Sequence, residues 1–214
     1  MKADAVILGI AGVLFGVLVG WMLGAQQVER AAPPAATSAP AQAPAQGGGT
    51  PKGAGRAPAA LDTARVQELE GRATAAPRDA TVRAELANIY FDADRFQDAA
   101  RWYEEALAID PSNADVSTDL GICYYYLDQA PRAVRQFEAS LAIDPKHTKS
   151  LLNLGIVRAF GTQDLRGAAE AWQQVVAIAP ADSPEARAAR QALDGLRSAH
   201  PDIVSSVQSS PEGS

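Results

Sequence analysis

The chain is poor in the residues that build catalytic and metal centres. Its 214 residues contain one cysteine and two histidines, so the chain has no internal disulfide framework and no cluster at the spacing of a zinc site. It has neither a GxGxxG nor a Walker phosphate loop. The formal net charge of −6 argues against the basic face that nucleic acid requires. These absences predict a protein that is not an enzyme, with no catalytic residues, no cofactor, no metal and no nucleic-acid partner.

An uncharged apolar run at residues 5–23 predicts a transmembrane anchor within residues 1–30. Its 19 residues would form a helix roughly 28 Å long, close to the thickness of a bilayer core. A cleaved signal peptide is the alternative, but its apolar region is usually shorter, and Leu23-Gly24-Ala25 has a large residue where cleavage needs a small one. The weak bias from the N-terminal amine and Lys2 favours an N-terminus inside the cell, with the remaining residues outside the cytoplasm. The preference for arginine over lysine and the alanine content are typical of a GC-rich bacterial genome, so we expect a bacterial inner-membrane protein whose repeats lie in the periplasm.

Glycines recur at every fourth position of this run. Such a stripe lets two membrane helices approach closely, although glycine is also generally common in membrane helices. The pattern predicts anchor packing through Gly12, Gly16, Gly20 and Gly24.

Residues 31–60 are rich in alanine, proline and glycine and have almost no large apolar side chain. Such a segment cannot bury enough surface to offset the entropy of ordering, so it is predicted to be a disordered linker. The serine-containing tail, residues 201–214, is predicted to be disordered for the same reason.

Residues 61–200 contain an internal repeat that is marked by prolines. Pro77, Pro111, Pro145 and Pro180 are separated by 34, 34 and 35 residues, a period typical of stacked helical hairpins. The repeats occupy residues 80–113, 114–147 and 148–182. In each repeat, the first helix (A) carries a leucine followed by a small residue; these pairs are Leu86-Ala87, Leu120-Gly121 and Leu154-Gly155. The second helix (B) carries an alanine followed four positions later by an aromatic residue; these pairs are Ala99 and Tyr103, Ala133 and Phe137, and Ala168 and Trp172.

This pattern resembles the tetratricopeptide repeat (TPR), with its W-x2-L-G-x2-Y, A-x3-F-x2-A and terminal proline positions. Arg83, Ser117 and Leu151 stand at the tryptophan position, and Arg158 replaces the tyrosine of the third copy. The resemblance implies an all-α TPR superhelix of three helical hairpins. Residues 61–75 resemble a degenerate helix B, and Ser183-Pro184 begins a capping helix over residues 183–199.

The resemblance also implies a binding groove lined by the A helices. Its predicted partner-binding residues are Asn88, Phe91, Thr118, Ile122, Tyr125, Tyr126, Lys149, Leu152, Ile156 and Phe160. The carboxylate clamp of some family members corresponds to Ala84, Asn88, Asp119, Lys149 and Asn153, of which two match. Because Asp119 would repel a carboxylate, the sequence argues against that ligand.

Together these patterns predict a membrane-tethered adaptor or scaffold. Its groove would bind a peptide or amphipathic helix of a partner protein, during assembly or biogenesis of an envelope complex. The alternative is a structural protein that forms homo-oligomers through the glycine stripe and through stacking of repeats.

Overall fold

The computed structural model describes residues 58–208. The predicted anchor, its four packing glycines, residues 31–57 of the linker and the final residues 209–214 lie outside this part. Within residues 58–208, no helix has both the length and the apolar character that crossing a bilayer requires.

The described residues form nine α-helices and no strand. Their bounds are α1 Thr63–Ala75, α2 Ala80–Asp92, α3 Phe96–Ile109, α4 Ala114–Tyr126, α5 Ala130–Ile143, α6 Thr148–Gly161, α7 Leu165–Ile178, α8 Pro184–Ala199 and α9 Pro201–Gln208.

Most helices begin at a short polar side chain that caps the free backbone N–H groups. Asp79 accepts a hydrogen bond from the Val82 amide at 3.1 Å, and Asn113 accepts one from the Val116 amide at 3.0 Å. Ser183 caps α8, and Pro184 occupies the first helical turn, as predicted. The B helices α3, α5 and α7 end two residues before Pro111, Pro145 and Pro180. A proline ring disfavours helical geometry in the residue that precedes it, so the helix stops there.

The helices pair into three hairpins, α2/α3, α4/α5 and α6/α7, and each hairpin packs on the next. The A helices α4 and α6 touch each other, as do α6 and α8, while α1 packs on α2. This arrangement confirms the predicted all-α fold of TPR-like hairpins. On α8, four apolar residues at helical spacing are buried against the stack: Ala186, Ala189, Leu193 and Leu196.

The small residues of the A helices are explained by the aromatic residues of the B helices. A Cβ atom added to Gly121 would lie 2.7 Å from Cε1 of Phe137, and one added to Gly155 would overlap the Trp172 indole. The Phe137 and Trp172 side chains are 0% and 2% exposed. Each ring therefore occupies the space that a larger A-helix residue would need, which allows close packing within the hairpin.

The turns inside the hairpins share one backbone geometry. Asp94, Asp128 and Gln163 have positive φ angles of 56°, 59° and 59°. The additional residue of the third repeat lies just before the last of these turns, where α6 has 14 residues and α4 has 13. There the Thr162 N–H donates to the carbonyl of Val157. The end of one helix thus absorbs the insertion without changing the stack.

The predicted disorder of the tail is wrong for residues 201–208, which form α9. Val204 is 1% exposed and Val207 is 9% exposed, and α9 contacts both α7 and α8. Two valines three positions apart lie on one face of a helix, so both can pack against α7 and α8. The polar residues of this segment led to the prediction of disorder.

Candidate functional site

The exposed side of the A helices α2, α4 and α6 is the candidate site, and we call it the A-helix face. Its most distinctive part is an aromatic cluster of Phe91 on α2, Phe96 on α3 and Tyr126 on α4. The Phe96 and Tyr126 rings stack with their centroids 4.2 Å apart and an interplanar angle of 9°. Phe91 meets Phe96 edge to face at 5.4 Å and Tyr126 at 6.0 Å. These are favourable aromatic geometries, so the cluster is a rigid surface across the first two hairpins.

Two further aromatic residues extend this surface toward the third hairpin. The Tyr125 ring centroid lies 6.4 Å from that of Tyr126. Tyr125 also approaches the end of α6, since a Cβ on Gly161 would be 3.5 Å from its Cε2 atom. Phe160, on the last turn of α6, is 47% exposed. Aromatic side chains therefore occupy the C-terminal ends of all three A helices.

Two predicted groove residues, Thr118 and Ile122, are not available at the surface. Thr118 is 0% exposed and Ile122 is 3% exposed. Their helix, α4, is the central A helix, so it is covered from both sides: Ile122 joins the hydrophobic core, and the Thr118 hydroxyl turns toward α5 and α6. The prediction that they line an open groove is therefore wrong, because it assumed an equal exposure at equivalent positions of every repeat.

The other predicted residues retain at least partial exposure. Asn88 is exposed, and its Oδ1 accepts a 2.5 Å hydrogen bond from the Tyr103 hydroxyl. Lys149, Leu152 and Ile156 are half-buried on α6. The roles of these residues in partner binding remain predictions.

An ion pair joins α4 to α6 in the floor of the face. Lys149 Nζ donates to Asp119 Oδ1 at 2.7 Å, and the two side chains are 21% and 19% exposed. Burial raises the pKa of the Asp119 carboxyl, and the Lys149 charge opposes this rise. Asn153 donates its side-chain amide to the Lys149 carbonyl at 2.8 Å. Three of the five clamp positions thus contact one another, and an incoming carboxylate would meet Asp119.

Cys123 lies one helical turn beyond Asp119 and is 0% exposed. Burial raises the pKa of its thiol far above the ordinary value, and the nearby Asp119 charge adds to the effect. The thiol therefore stays protonated and inert at neutral pH. Cys123 is therefore a small residue of the hydrophobic core.

Sequence reasoning missed Phe96 as a member of the site. Phe96 is the first residue of α3, and the tight turn at Asp94 brings it against the end of α2. The sequence feature that could have indicated its role is an aromatic residue directly after the predicted turn between helices A and B.

A buried hydroxyl cluster between the second and third hairpins was also missed. The Thr118 Oγ1 atom lies 2.5 Å from Ser150 Oγ and 3.0 Å from Ser140 Oγ. His147 Nδ1 is 2.6 Å from Ser150 Oγ, and its Nε2 is 3.1 Å from Asp115 Oδ1. The signal was a set of hydroxyls at positions where the preceding repeat has apolar residues.

A profile described as "Cilia and flagella-associated protein 70 middle TPR-like domain" matches residues 83–201, which is more than half of the chain. No curated protein matches.

Solved structures with the same fold include MamA, at 18% identity and a TM-score of 0.56 over 67% of this chain and 84% of that one. The first TPR domain of human RPAP3 has 24% identity and a TM-score of 0.51, over 59% and 98% of the two chains. The Sgt2 TPR domain of Aspergillus fumigatus has 23% identity and a TM-score of 0.50, over 63% and 86%. At these identities the likeness shows the fold alone. On the match to residues 83–201, the chain belongs to the family of the Cilia and flagella-associated protein 70 middle TPR-like domain.

Proposed function

We propose that this chain is a non-catalytic adaptor whose A-helix face binds a segment of a partner protein. The observation that carries the proposal is the row of aromatic residues across the ends of α2, α4 and α6, which ends at the exposed Phe160. Stacked helical repeats characteristically use such extended faces for binding. Aromatic side chains are frequent anchors of protein interfaces because they bury large areas with few rotatable bonds.

The rigidity of the face supports this function. Phe91, Phe96 and Tyr126 are held by one another, and Tyr125 is held against the end of α6. A partner therefore meets side chains that are already ordered, so less conformational entropy is lost on binding. An amphipathic helix or an extended segment could place apolar side chains along such a row.

The binding face is tested by site-specific photocrosslinking in the full chain. We expect a photoreactive residue at Phe160 to give a discrete adduct with a partner, because this position is exposed at the end of the aromatic row. The matched control is the same residue at Ala139, which is exposed on α5 in the B-helix layer. Adducts at position 139 with none at position 160 would disprove binding at the A-helix face.

A membrane tether and a role in envelope assembly are a finer part of the proposal. They rest on the apolar run at residues 5–23 and on the Ala/Pro-rich linker that follows it. The full chain is then expected in the membrane fraction of the cell, and a chain lacking residues 1–30 in the soluble fraction. Equal distribution of the two chains would remove the tether from the proposal.

A further inference from the structure

The charges around the aromatic row are strongly unequal. Asp92 is the last residue of α2, Asp94 lies in the turn that follows it, and Asp115 and Asp119 lie on α4. Within the part of the chain that the structure describes, neither Asp92 nor Asp94 has an ion-pair partner. Asp115 is 77% exposed and contacts His147. Lys149 is the cation on α6 that faces this group, and it is already paired with Asp119.

The arginines of the A helices are turned away from this face. Arg83 Nε lies 3.5 Å from Glu105 of α3, and Arg158 Nη2 lies 3.0 Å from Glu138 of α5. The carboxylate of Glu85 on α2 is also ion-paired, with Arg65 and Arg72 of α1 at 3.3 Å and 3.6 Å, so it adds no net charge to the face. The four aspartates and Lys149 therefore leave the face with a formal charge of −3.

The carboxylates lie within electrostatic reach of the aromatic side chains. Burial raises the pKa of Tyr126 to about 12, and the charge of Asp94 contributes to this rise. Asp92 is exposed and directly follows Phe91, the aromatic residue of the cluster on α2. Apolar anchoring positions and uncompensated negative charge thus occupy the same surface.

We infer that the segment bound by the A-helix face is basic, with lysine or arginine side chains interspersed among apolar ones. This inference rests on the proposed function and names the chemistry of its partner. Lysine or arginine side chains would approach Asp92 and Asp94 while neighbouring apolar side chains cover Phe91, Tyr126 and Phe160. Complementary charge speeds association and excludes partners of the wrong sign, and a cation beside a tyrosine ring gains a further attraction.

The inference is tested with three synthetic amphipathic peptides that share one apolar face of leucine and phenylalanine. Their polar positions carry lysine, glutamine or glutamate, and binding to the purified full chain is followed by fluorescence polarisation at low and high salt. We expect the lysine peptide to bind about tenfold or more tightly than the glutamate peptide, with the difference shrinking as salt screens the charges.

Variants then locate the charge effect. Asp92→Asn with Asp94→Asn is expected to weaken the lysine peptide several-fold and to leave the glutamine peptide unchanged. Asparagine tolerates the positive φ of position 94, so the fold is preserved. The matched control is Glu170→Gln on α7 in the B-helix layer, which should change neither affinity. Phe160→Ala should weaken every peptide.

The possible failures are distinguishable. If no peptide binds, or if Phe160→Ala weakens none of them, the proposed function is overturned. If all three peptides bind equally and Phe160→Ala weakens them all, the face binds segments but the basic partner is overturned. Lys52 and Arg56 are the two cations of the linker at residues 31–60. Tighter lysine-peptide binding after Lys52→Ala with Arg56→Ala would identify this linker as the occupant, and would overturn the assignment to a partner.

Discussion

Glycine has opposite effects at two kinds of helix position in this protein. At Gly121 and Gly155 the missing Cβ is the condition for close contact with Phe137 and Trp172. At Gly71 on α1 and Gly195 on α8, an added Cβ would meet no atom within 4 Å. The first pair is therefore required by packing, whereas the second pair carries only the intrinsic cost of glycine in a helix.

We predict that Gly155→Ala and Gly195→Ala change stability in opposite directions. The overpacking in Gly155→Ala should cost about 1–3 kcal/mol of the free energy of unfolding, because the added methyl group must displace the buried Trp172. The higher helix propensity of alanine offsets about 1 kcal/mol of this cost, and the net result is a loss of stability. Gly195→Ala should raise the free energy of unfolding by about 0.5–1 kcal/mol. Urea unfolding followed by circular dichroism measures both.

Tryptophan fluorescence provides the control for this pair. The Trp172 Nε1 donates to the Leu152 carbonyl at 3.2 Å, so Gly155→Ala should alter the emission of the folded protein and Gly195→Ala should not. An equal gain in stability from both substitutions would show that the Gly155 contact with Trp172 is not restrictive.

At the scale of elements, the junction between the second and third hairpins differs from the one before it. Thr118, Ser140 and Ser150 form a buried hydroxyl cluster there, each 0% exposed. The residues 34 positions earlier are Ala84, Ala106 and Val116, which are apolar. The same helix arrangement is thus built once from apolar contacts and once from a connected set of hydroxyls.

We predict that this cluster is strongly non-additive. Ser150→Ala alone should lower the free energy of unfolding by about 1–3 kcal/mol, because Thr118, Ser140 and His147 lose a hydrogen-bond partner. The triple change Thr118→Ala, Ser140→Ala and Ser150→Val, which copies the preceding junction, should cost much less than the sum of its single changes. Chemical denaturation of Ser150→Ala, of the triple variant and of its three single changes gives the individual costs and the coupling energy.

Ser205→Ala is the control for the loss of a serine hydroxyl. Ser205 is exposed on α9, and its hydroxyl donates to the Pro201 carbonyl at 2.9 Å. Its replacement should alter stability by about 0.5 kcal/mol at most. Additive costs across the triple variant would show that the hydroxyls act independently rather than as one network.

The sequence was most informative where the repeats obey one rule. The prolines, the leucines and the paired small and aromatic residues predicted the hairpins, because these positions make the same contacts in every copy. Departures from the repeat were harder to interpret. Exposure of Thr118 and Ile122 depends on neighbouring helices rather than on repeat position, and the clustering of Phe96 with Tyr126 depends on three-dimensional distances across a turn. Burial of Val204 depends on two helices that precede it in the chain.

At the scale of the described stack, its two ends differ from its middle. The outer side of α1 exposes Gln67, Glu68 and Arg72, and that of α8 exposes Arg187, Gln191 and Asp194. These polar sides are typical of helices that cap a stack of repeats. They disfavour growth by end-to-end stacking, which is one of the two contacts required by the self-assembly alternative.

The stability of the stack should therefore vary along the chain. The central helix α4 packs against α3, α5 and α6, whereas α1 packs mainly on α2 and the eight-residue α9 packs on α7 and α8. In repeat architectures each unit is stabilised mainly by its neighbours. Local opening should consequently need the least free energy at the two ends and the most in the middle hairpin.

Hydrogen exchange measured by mass spectrometry on the full chain tests this gradient. We predict that amides in residues 118–124 of α4 exchange at least tenfold more slowly than those of α1 and α9, which corresponds to a difference in opening free energy of about 1.4 kcal/mol or more. Gly155→Ala should accelerate exchange in α6 and α7 more than in α1, because its contact lies in the third hairpin. Equal protection from α1 to α9 would contradict the gradient and would mean that the stack opens as a single cooperative unit.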